Sequence, residues 1–202
     1  MTTTGRIELM APAGNFESLQ AAIDNGADSV YFGVEQLNMR ARATMNFTLE
    51  DLPEIARRCK EKNVRTYLTL NTIVYDHDLS IVKTLLQKAK DADLTAVIAS
   101  DQAVIAMART IGLEVHISTQ LNVTNIETVK FYALFADTIV LSRELSLRQV
   151  AKITEAIEKE QIKGPSGNLV EIEIFGHGAL CMAVSGKCYL SLHSHNSSAN
   201  RG

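Results

Sequence analysis

The 202-residue sequence contains no tryptophan and only three cysteines. A small and odd number of cysteines excludes the framework of paired disulfides that stabilises small secreted domains. The scarcity of cysteine therefore predicts a reducing, cytoplasmic environment. In that setting, two cysteines that lie close together in a sequence more often bind a metal or carry out redox chemistry.

Signals for export and for membrane insertion are also missing. The first residues, MTTTGRIELMAPAG, lack the basic region and the long apolar run of a signal peptide. No stretch approaches the roughly 20 apolar residues that a membrane helix requires, so no membrane span is expected. The formal net charge of −3 indicates no nucleic-acid partner by itself, although it leaves a local basic surface open.

What the sequence does have is enough apolar residues, 46% of the chain, for one sizeable core. Short apolar runs alternate with stretches of helical spacing, such as the one that places Ile81, Leu85 and Ala89 on one face. The predicted strands are residues 7–10, 29–33, 66–70, 96–99, 114–118, 138–141 and 170–175. The predicted helices run from Asn15 to Asn25, from Thr48 past Cys59, and over residues 78–91, 101–111, 125–135 and 146–158.

Strands that alternate with helices across short connections indicate parallel pairing through right-handed crossovers. Such a pattern leaves two architectures, a doubly wound open sheet or a (β/α)8 barrel. The sequence has no GxGxxG after the first strand and no phosphate-binding P-loop motif, which weakens the nucleotide-binding open sheet. The prediction is therefore an α/β fold of the (β/α)8 TIM-barrel type, with seven βα-type units visible and the eighth strand missing.

Polar residues collect where the predicted strands end, which is the edge that carries the active site in both architectures. Amides, two guanidinium groups and a carboxylate at one mouth suit a small polar or anionic ligand. The mouth candidates are Asn38, Arg40, Asn71, Gln120, Arg143, Glu144, His177 and Cys181.

Several nearby polar residues have a structural interpretation instead. Asp101, Asn125 and Ser146 are predicted to cap the helices that follow them, and Arg143 and Glu144 are alternatively expected to pair with each other or with neighbours. Among the remaining candidates, His116 is predicted to be packed inside a strand, His77 to be a solvated turn residue, and Cys59 to be a buried apolar residue.

Two of the three cysteines, Cys181 and Cys188, lie in the glycine-rich stretch EIEIFGHGALCMAVSGKCYLS at residues 171–191. Their spacing is unlike the CxxC of zinc ribbons and thioredoxins. Two thiolates alone complete neither a zinc site nor an iron–sulfur cluster. A zinc site with added histidines, a Cys181–His177 protease pair and two unreactive packing cysteines all stay open, although the glycines disfavour simple packing. The histidines that could add ligands are His177, His193 and His195.

The same stretch resembles the signature of peptidase family U32, the collagenase-like proteases. The matching positions are Glu173, Phe175, Gly178 to Cys181, Gly186, Cys188, Leu190 and Ser191. Further resemblance covers the segments LMAPAGN, VYFGVEQLNMRARA, STQLNVTN, LSRELS and ANRG. The resemblance implies a barrel-like N-terminal domain over residues 1–178, followed by a cysteine-containing segment at residues 179–202. The tail from His193, HSHNSSANRG, consists of polar and small residues and is therefore expected to be poorly ordered.

The resemblance also implies a function. Well-understood members are iron–sulfur proteins of oxygen-independent hydroxylation. Some act on a pyrimidine of tRNA or rRNA with prephenate implicated, and others form a pair that hydroxylates the ubiquinone ring. Their 4Fe-4S cluster is held by four cysteines, of which the first two match Cys181 and Cys188. The third follows an ANRG-like segment, where this sequence stops. A C-terminal region is therefore expected to be missing, with two free thiols and no bound cofactor in this chain.

The expected activity is thus hydroxylation of a tRNA or rRNA pyrimidine by the full-length protein. The alternatives are a collagenase-like peptidase, for which no HExxH or GxSxG motif is present, or a non-catalytic subunit of a ubiquinone-hydroxylating pair. Within this hypothesis Arg143, Glu144 and Gln120 are the catalytic candidates. Substrate or cofactor binding is assigned to Arg40, Asn71, Asn38 and His177, and metal ligation to Cys181 and Cys188.

Overall fold

The computed structural model describes residues 7–34, 47–178, 183–185 and 193. Several predictions therefore lie outside the described residues. They are the ligand-binding roles of Asn38 and Arg40, the metal-binding roles of Cys181 and Cys188, a contribution of His195 to a zinc site, and the poor order of the tail.

Over the described ranges, seven strands alternate with six helices, in the order that the sequence predicts. The strands are β1 (Met10–Pro12), β2 (Ser29–Phe32), β3 (Arg65–Leu70), β4 (Ala96–Ala99), β5 (Glu114–Ile117), β6 (Thr138–Val140) and β7 (Glu171–Glu173). The helices are α1 (Phe16–Asp24), α2 (Leu52–Glu61), α3 (Leu79–Asp91), α4 (Gln102–Thr110), α5 (Ile126–Ala133) and α6 (Leu147–Glu160). Short 3-10 helices lie at Leu49–Asp51, Asp76–Asp78 and Thr119–Leu121.

The strands form one parallel sheet whose spatial order is the same as their order in the chain. The register places Tyr67 of β3 opposite Tyr31 of β2 and opposite Ala96 of β4. Toward the other edge of the sheet, Val140 of β6 pairs with Glu173 of β7. The sheet curls into a half-barrel with helices around it, which confirms the TIM-barrel-like prediction.

The main core lies between the sheet and the helices. Leu68 of β3, Ile55 of α2 and Leu85 of α3 are almost completely buried in it. Alternate residues of the strands face the other way, and Tyr67, Ala96 and Ile98 form a second, smaller cluster there. This alternation follows from the period of two in a β-strand. It gives the sheet an apolar helix-facing surface and a separate inner surface.

The buried face of α3 differs from the prediction in one residue. The sequence pattern predicts Ile81 on that face, but this prediction is wrong, since 36% of the Ile81 surface is exposed. The buried residues follow the spacing i, i+3, i+4, i+7 of an amphipathic helix, and Ile81 falls outside this stripe. They are Val82, Leu85, Leu86 and Ala89.

The predicted helix caps are confirmed. The Asp101 carboxylate accepts a hydrogen bond from the N–H of Ala103 at 2.8 Å, and the Asn125 side chain accepts one from the N–H of Thr128 at 2.9 Å. The N–H of Ser146 donates to the side-chain oxygen of Gln149 at 2.9 Å, as in a capping box. These polar groups satisfy orphan donors at helix starts, so their positions need no ligand to explain them.

Cys59 is a packing residue, as predicted. Its side chain on α2 is fully buried in the main core, and burial raises the pKa of its thiol to about 11. The thiol is therefore protonated at neutral pH and a poor nucleophile or metal ligand.

Within the described part of the chain, none of the helices combines the length and the hydropathy that crossing a membrane requires.

Candidate functional site

The carboxyl ends of β3 and β5 bring two of the predicted site residues together. The amide nitrogen of Asn71, which follows β3, donates to the side-chain oxygen of Gln120 at 3.4 Å. The hydroxyl of Ser118, which follows β5, donates to the same oxygen. Gln120 is thus held by two donors, and its own NH2 group remains the part of the side chain that offers hydrogens to a ligand.

A second polar group lies at the carboxyl end of β6. The hydroxyl of Ser142 lies between the side-chain oxygens of Asn122, at 2.9 Å, and Glu144. Asn122 adopts a left-handed backbone conformation with φ of 53°, which asparagine tolerates better than most residues. The N–H of Ser142 donates to the carbonyl of Val123 at 2.9 Å. These bonds fix the loops after β5 and β6 against each other.

Arg143 and Glu144 both bind the segment at residues 183–185. The Glu144 carboxylate accepts a hydrogen bond from the N–H of Ser185 at 2.9 Å and contacts the Ser185 hydroxyl at 3.1 and 3.3 Å. The guanidinium of Arg143 donates to the carbonyl of Ala183 at 3.2 Å. Ser185 is buried, with 1% of its surface exposed. Among the described residues no ion pair joins Arg143 to Glu144, and both instead bond to neighbouring residues, which is the other form of the structural interpretation.

The environment of Glu144 favours its charged form. Burial acts to raise the pKa of this carboxyl, but three other effects outweigh it: hydrogen bonds from the N–H groups of Ser185 and Glu144, a bond from the Ser185 hydroxyl, and the charge of Arg143. The pKa is therefore held below its usual value, and the carboxylate is an acceptor at neutral pH.

A third polar group occupies the inner surface of the sheet. His116 on β5 is buried, and its Nε2 lies 3.3 Å from a carboxylate oxygen of Glu114. Its ring packs on Tyr67 with 4.5 Å between centroids. This confirms the prediction of a packed, hydrogen-bonded histidine inside a strand. Glu173 of β7 lies on the other side of the ring, with Oε2 at 4.0 Å from His116 Nδ1.

Sequence reasoning assigned Glu173 only to the family signature and missed its place beside His116. Burial raises the pKa of the Glu173 carboxyl, and the nearby His116 acts in the opposite direction. The signal that could have found it is the alternation in EIEIF, which puts Glu171 and Glu173 on one face of the strand and the isoleucines on the other.

The two exposed histidines that the sequence singles out lie apart from these polar groups. His177 is exposed, and no hydrogen bond or ion pair between described residues links it to Asn71, Gln120, Arg143 or Glu144. His77 has 74% of its side chain exposed, as expected for a turn residue.

A groove of about 520 Å3 lies on the outer, helical side, lined by parts of α2 and α3, and includes none of the predicted site residues. No group of three or more His, Cys, Asp or Glu side chains that could hold a metal occurs in the described ranges.

Comparison with protein-family models shows to which family the chain belongs. The model of peptidase family U32 matches residues 14–202.

The chain belongs to peptidase family U32.

Curated relatives within this U32 family carry two kinds of name. A Porphyromonas gingivalis protein named "Collagenase" is 58% identical over 195 residues, which are 96% of this chain and 47% of the relative. The "tRNA hydroxylation protein P1" of Bacillus subtilis is 34% identical over 202 residues, 98% of this chain and 45% of the relative. The "23S rRNA 5-hydroxycytidine C2501 synthase" of Escherichia coli is 34% identical over 198 residues, 98% of this chain and 28% of that protein.

The chain spans about half the length of the first two of these relatives. Among solved structures, the U32 peptidase Mk0906 matches with a TM-score of 0.62 and 16% identity, covering 86% of this chain and 70% of that one. The tryptophan synthase alpha chain of Legionella pneumophila matches with a TM-score of 0.53 and 17% identity, covering 84% of this chain and 71% of that one. At such identities the likeness shows the barrel-type fold alone.

In this U32 chain, the contacts of Arg143 and Glu144 gain a specific meaning from the sequence. Ala183 is two positions after Cys181, and Ser185 is three positions before Cys188. The two mouth residues after β6 therefore anchor the backbone between the two signature cysteines. We call residues 183–185 the anchored segment.

Replacing Glu144 by alanine is expected to release the anchored segment. The buried N–H of Ser185 loses its charged acceptor, and we expect its hydrogen exchange to accelerate about tenfold or more, because hydrogen bonds to charged groups contribute about 1.5–3 kcal/mol. The control is Glu155→Gln, an exposed carboxylate on α6. Hydrogen-exchange mass spectrometry of the full-length protein measures the peptide that contains Ser185; unchanged exchange in Glu144→Ala would show that the carboxylate is no anchor.

The same contact should weaken in acid. The folded-state pKa of Glu144 lies below that of an unfolded carboxyl, so the contact contributes stability above the unfolded pKa. This contribution is lost as the pH falls through the folded pKa. Protection of the Ser185 amide should therefore decline in acid in the parent protein, after correction for the intrinsic exchange rate, and should decline less in Glu144→Ala.

Proposed function

We propose that the whole protein hydroxylates a pyrimidine in tRNA or rRNA, without molecular oxygen, at an iron–sulfur cluster. The observation that carries the proposal is the anchored segment. Arg143 and Glu144 bind the backbone of Ala183 and Ser185 at the carboxyl end of β6, between the two cysteines of the signature. A site that depends on those cysteines would thereby be tied to the polar mouth of the barrel.

The names of the relatives support RNA as the substrate. Proteins named for tRNA hydroxylation in Bacillus subtilis and Helicobacter pylori align with 98% of this chain at 34% identity. An Escherichia coli relative is named for hydroxycytidine synthesis in 23S rRNA. Those proteins are about twice as long as this chain or longer, so further parts of the whole protein would contribute to RNA binding. An RNA substrate also agrees with the cytoplasmic location that the cysteine content predicts.

The chain's donor set suits half of such a cluster. Cys181 and Cys188 would supply two thiolates, and the described residues add no group of three or more metal-binding side chains that would favour a separate zinc site. The other two thiolates would come from the rest of the whole protein. When bound, a 4Fe-4S cluster supplies one-electron chemistry, with a potential that depends on hydrogen bonds and solvent exposure.

The residues around the mouth would do the binding and positioning. Gln120, oriented by Asn71 and Ser118, would donate its NH2 hydrogens to a carbonyl of the base or of a small anionic partner such as prephenate. Arg40, Asn38 and His177 would complete this polar surface. Arg143 and Glu144 act mainly through the anchored segment, which makes them positioning residues rather than groups that touch the substrate.

One observation favours the second candidate function, a collagenase-like peptidase. The Porphyromonas gingivalis relative named "Collagenase" shares 58% identity, more than the relatives named for RNA hydroxylation. The described residues give this activity little support, because no serine or threonine hydroxyl among them is hydrogen-bonded to a histidine. A serine or threonine peptidase mechanism would therefore need groups outside the described residues, and Cys181 is the candidate nucleophile there for a cysteine peptidase.

A genetic and biochemical experiment distinguishes the two functions. The gene is deleted, and nucleosides from separated tRNA and rRNA are analysed by liquid chromatography and mass spectrometry. The proposal expects one hydroxylated pyrimidine nucleoside to disappear and to return when the full-length gene is restored. Purified full-length protein is incubated with denatured collagen in parallel. Unchanged nucleosides together with collagen cleavage would reject the proposal in favour of the peptidase.

A further inference from the structure

The inner surface of the half-barrel carries two buried polar atoms without partners. Neither Nδ1 of His116 nor Oε2 of Glu173 has a hydrogen-bond partner among the described residues. Both atoms are almost inaccessible, and His116 as a whole is 3% exposed. Buried polar groups are nearly always satisfied in folded proteins, and each exception calls for an explanation.

The distance between His116 Nδ1 and Glu173 Oε2 suggests an explanation for their missing partners. At 4.0 Å they are too far apart for a direct hydrogen bond. An oxygen placed at about 2.8 Å from each of them would have normal hydrogen-bond lengths to both. One oxygen atom, lying beside the line that joins the two atoms, would therefore bond to both of them.

The groups around the ring decide which hydrogen each atom carries. His116 Nε2 faces a carboxylate oxygen of Glu114 at 3.3 Å, and a carboxylate only accepts, so Nε2 carries the hydrogen in the neutral ring. Nδ1 then presents a lone pair. Burial favours the protonated form of Glu173, whose O–H is a donor.

The charged groups on the neighbouring strands are already engaged. Glu8, which precedes β1, accepts a hydrogen bond from the Tyr67 hydroxyl at 2.8 Å and pairs with Arg65 of β3. Burial raises the pKa of Tyr67 to about 12, so this hydroxyl is neutral. On β7 itself, Glu171 is exposed, and Thr138 of β6, opposite His116, is uncharged. No cation among these side chains is left to pair with Glu173.

The pair also lies close to the mouth. Glu173 pairs with Val140, and its carbonyl accepts the N–H of Leu141 at 2.9 Å, directly before Ser142. Ser142 belongs to the polar group that contacts Glu144.

We propose that His116 Nδ1 and Glu173 Oε2 together bind one hydroxyl group on the inner surface of the barrel. The nitrogen accepts a hydrogen bond from this hydroxyl, and the Glu173 carboxyl donates one to it. A water molecule and the hydroxyl of a small polyol such as ribose offer the same chemistry. This binding point involves neither the cysteines nor the cluster, so its existence is independent of the hydroxylation proposed above.

Nitrogen NMR of the full-length protein labelled with [15N]histidine tests the proposal. The His116 signal is identified by its loss in His116→Gln. We expect a neutral ring with the hydrogen on Nε2 and an unprotonated Nδ1 far downfield. We also expect a magnetisation-transfer signal between the His116 ring and bound water. Glu173→Leu should remove the water signal, whereas Glu171→Gln on the same strand should leave it unchanged.

A ribose titration separates the two sources of the hydroxyl. A saturable shift of Nδ1 with loss of the water signal assigns the site to a small-molecule hydroxyl, and a water signal that ribose leaves unchanged assigns it to solvent water. Either result supports the pair as a hydroxyl site. The proposal is overturned if the hydrogen lies on Nδ1, or if neither water nor ribose gives a signal. Where Glu173→Leu fails to fold, these two outcomes still decide the question, because they need only the parent spectrum and its assignment with His116→Gln.

Discussion

Alanine at Cys181 or at Cys188 is expected to remove essentially all iron from the anaerobically purified full-length protein and to abolish RNA hydroxylation. A four-thiolate cluster that loses one ligand loses a bond that the rest of the site does not replace. Alanine at Cys59 is the matched control. That thiol is fully buried among apolar side chains on α2, and burial keeps it protonated with a pKa of about 11.

The measurement is iron and sulfide content per protein, with the visible absorption of thiolate-to-iron charge transfer. We expect Cys59→Ala to retain the iron of the parent, apart from any effect of a slightly less stable core. Glu144→Ala gives an intermediate case, because it loosens the anchored segment but removes no thiolate. A parent protein without iron, or Cys181→Ala with a full complement of iron, would contradict the cluster and with it the proposed function.

Alanine at Leu68 is expected to cause the largest loss of stability, about 3 kcal/mol in the free energy of unfolding. Leu68 is fully buried on β3, between the sheet and the helices. Its truncation removes apolar contacts and leaves a cavity that the surrounding strands cannot close, and such substitutions cost about 2–5 kcal/mol. Leu147→Ala is the control, because Leu147 on α6 is 76% exposed.

Urea unfolding of the full-length protein, followed by circular dichroism, measures this difference. The midpoint should fall clearly for Leu68→Ala, with the slope of the transition unchanged, and should barely move for Leu147→Ala. Equal midpoints for the two variants would mean that Leu68 does not pack as the structure shows.

Local patterns were sufficient to predict most of the fold. β4 was predicted at the residues where it occurs, because AVIA is a short buried run between polar neighbours. β1 was predicted at residues 7–10, whereas the structure has it at Met10–Pro12. Ile7 and Leu9 are apolar but 89% and 59% exposed, so apolar character alone misled the prediction there. Pairing with β2 sets the actual bounds, and an edge position of the described sheet tolerates Pro12.

The candidate site was predictable only in part. Asn71 and Gln120 could be placed together because parallel strands end at the same edge. The bond between Glu144 and Ser185 joins residues 41 positions apart, and no local pattern reports such a contact. The approach of Glu173 to His116 depends on the curl of the sheet as well as on the alternation of each strand. Sequence periodicity gives the face of a side chain but not its neighbour on a distant strand.

The identity of spatial and sequential strand order has a consequence for how the protein forms. Each strand from β2 to β7 pairs with the strand that precedes it in the chain. None of the described strands has to insert between two that are already paired, and each pairs with its predecessor in the chain, which keeps the entropy cost of loop closure modest. During synthesis from the N-terminus, each strand after β1 emerges when the strand that it pairs with has already been synthesised. The described sheet can therefore grow in the order in which the ribosome supplies it.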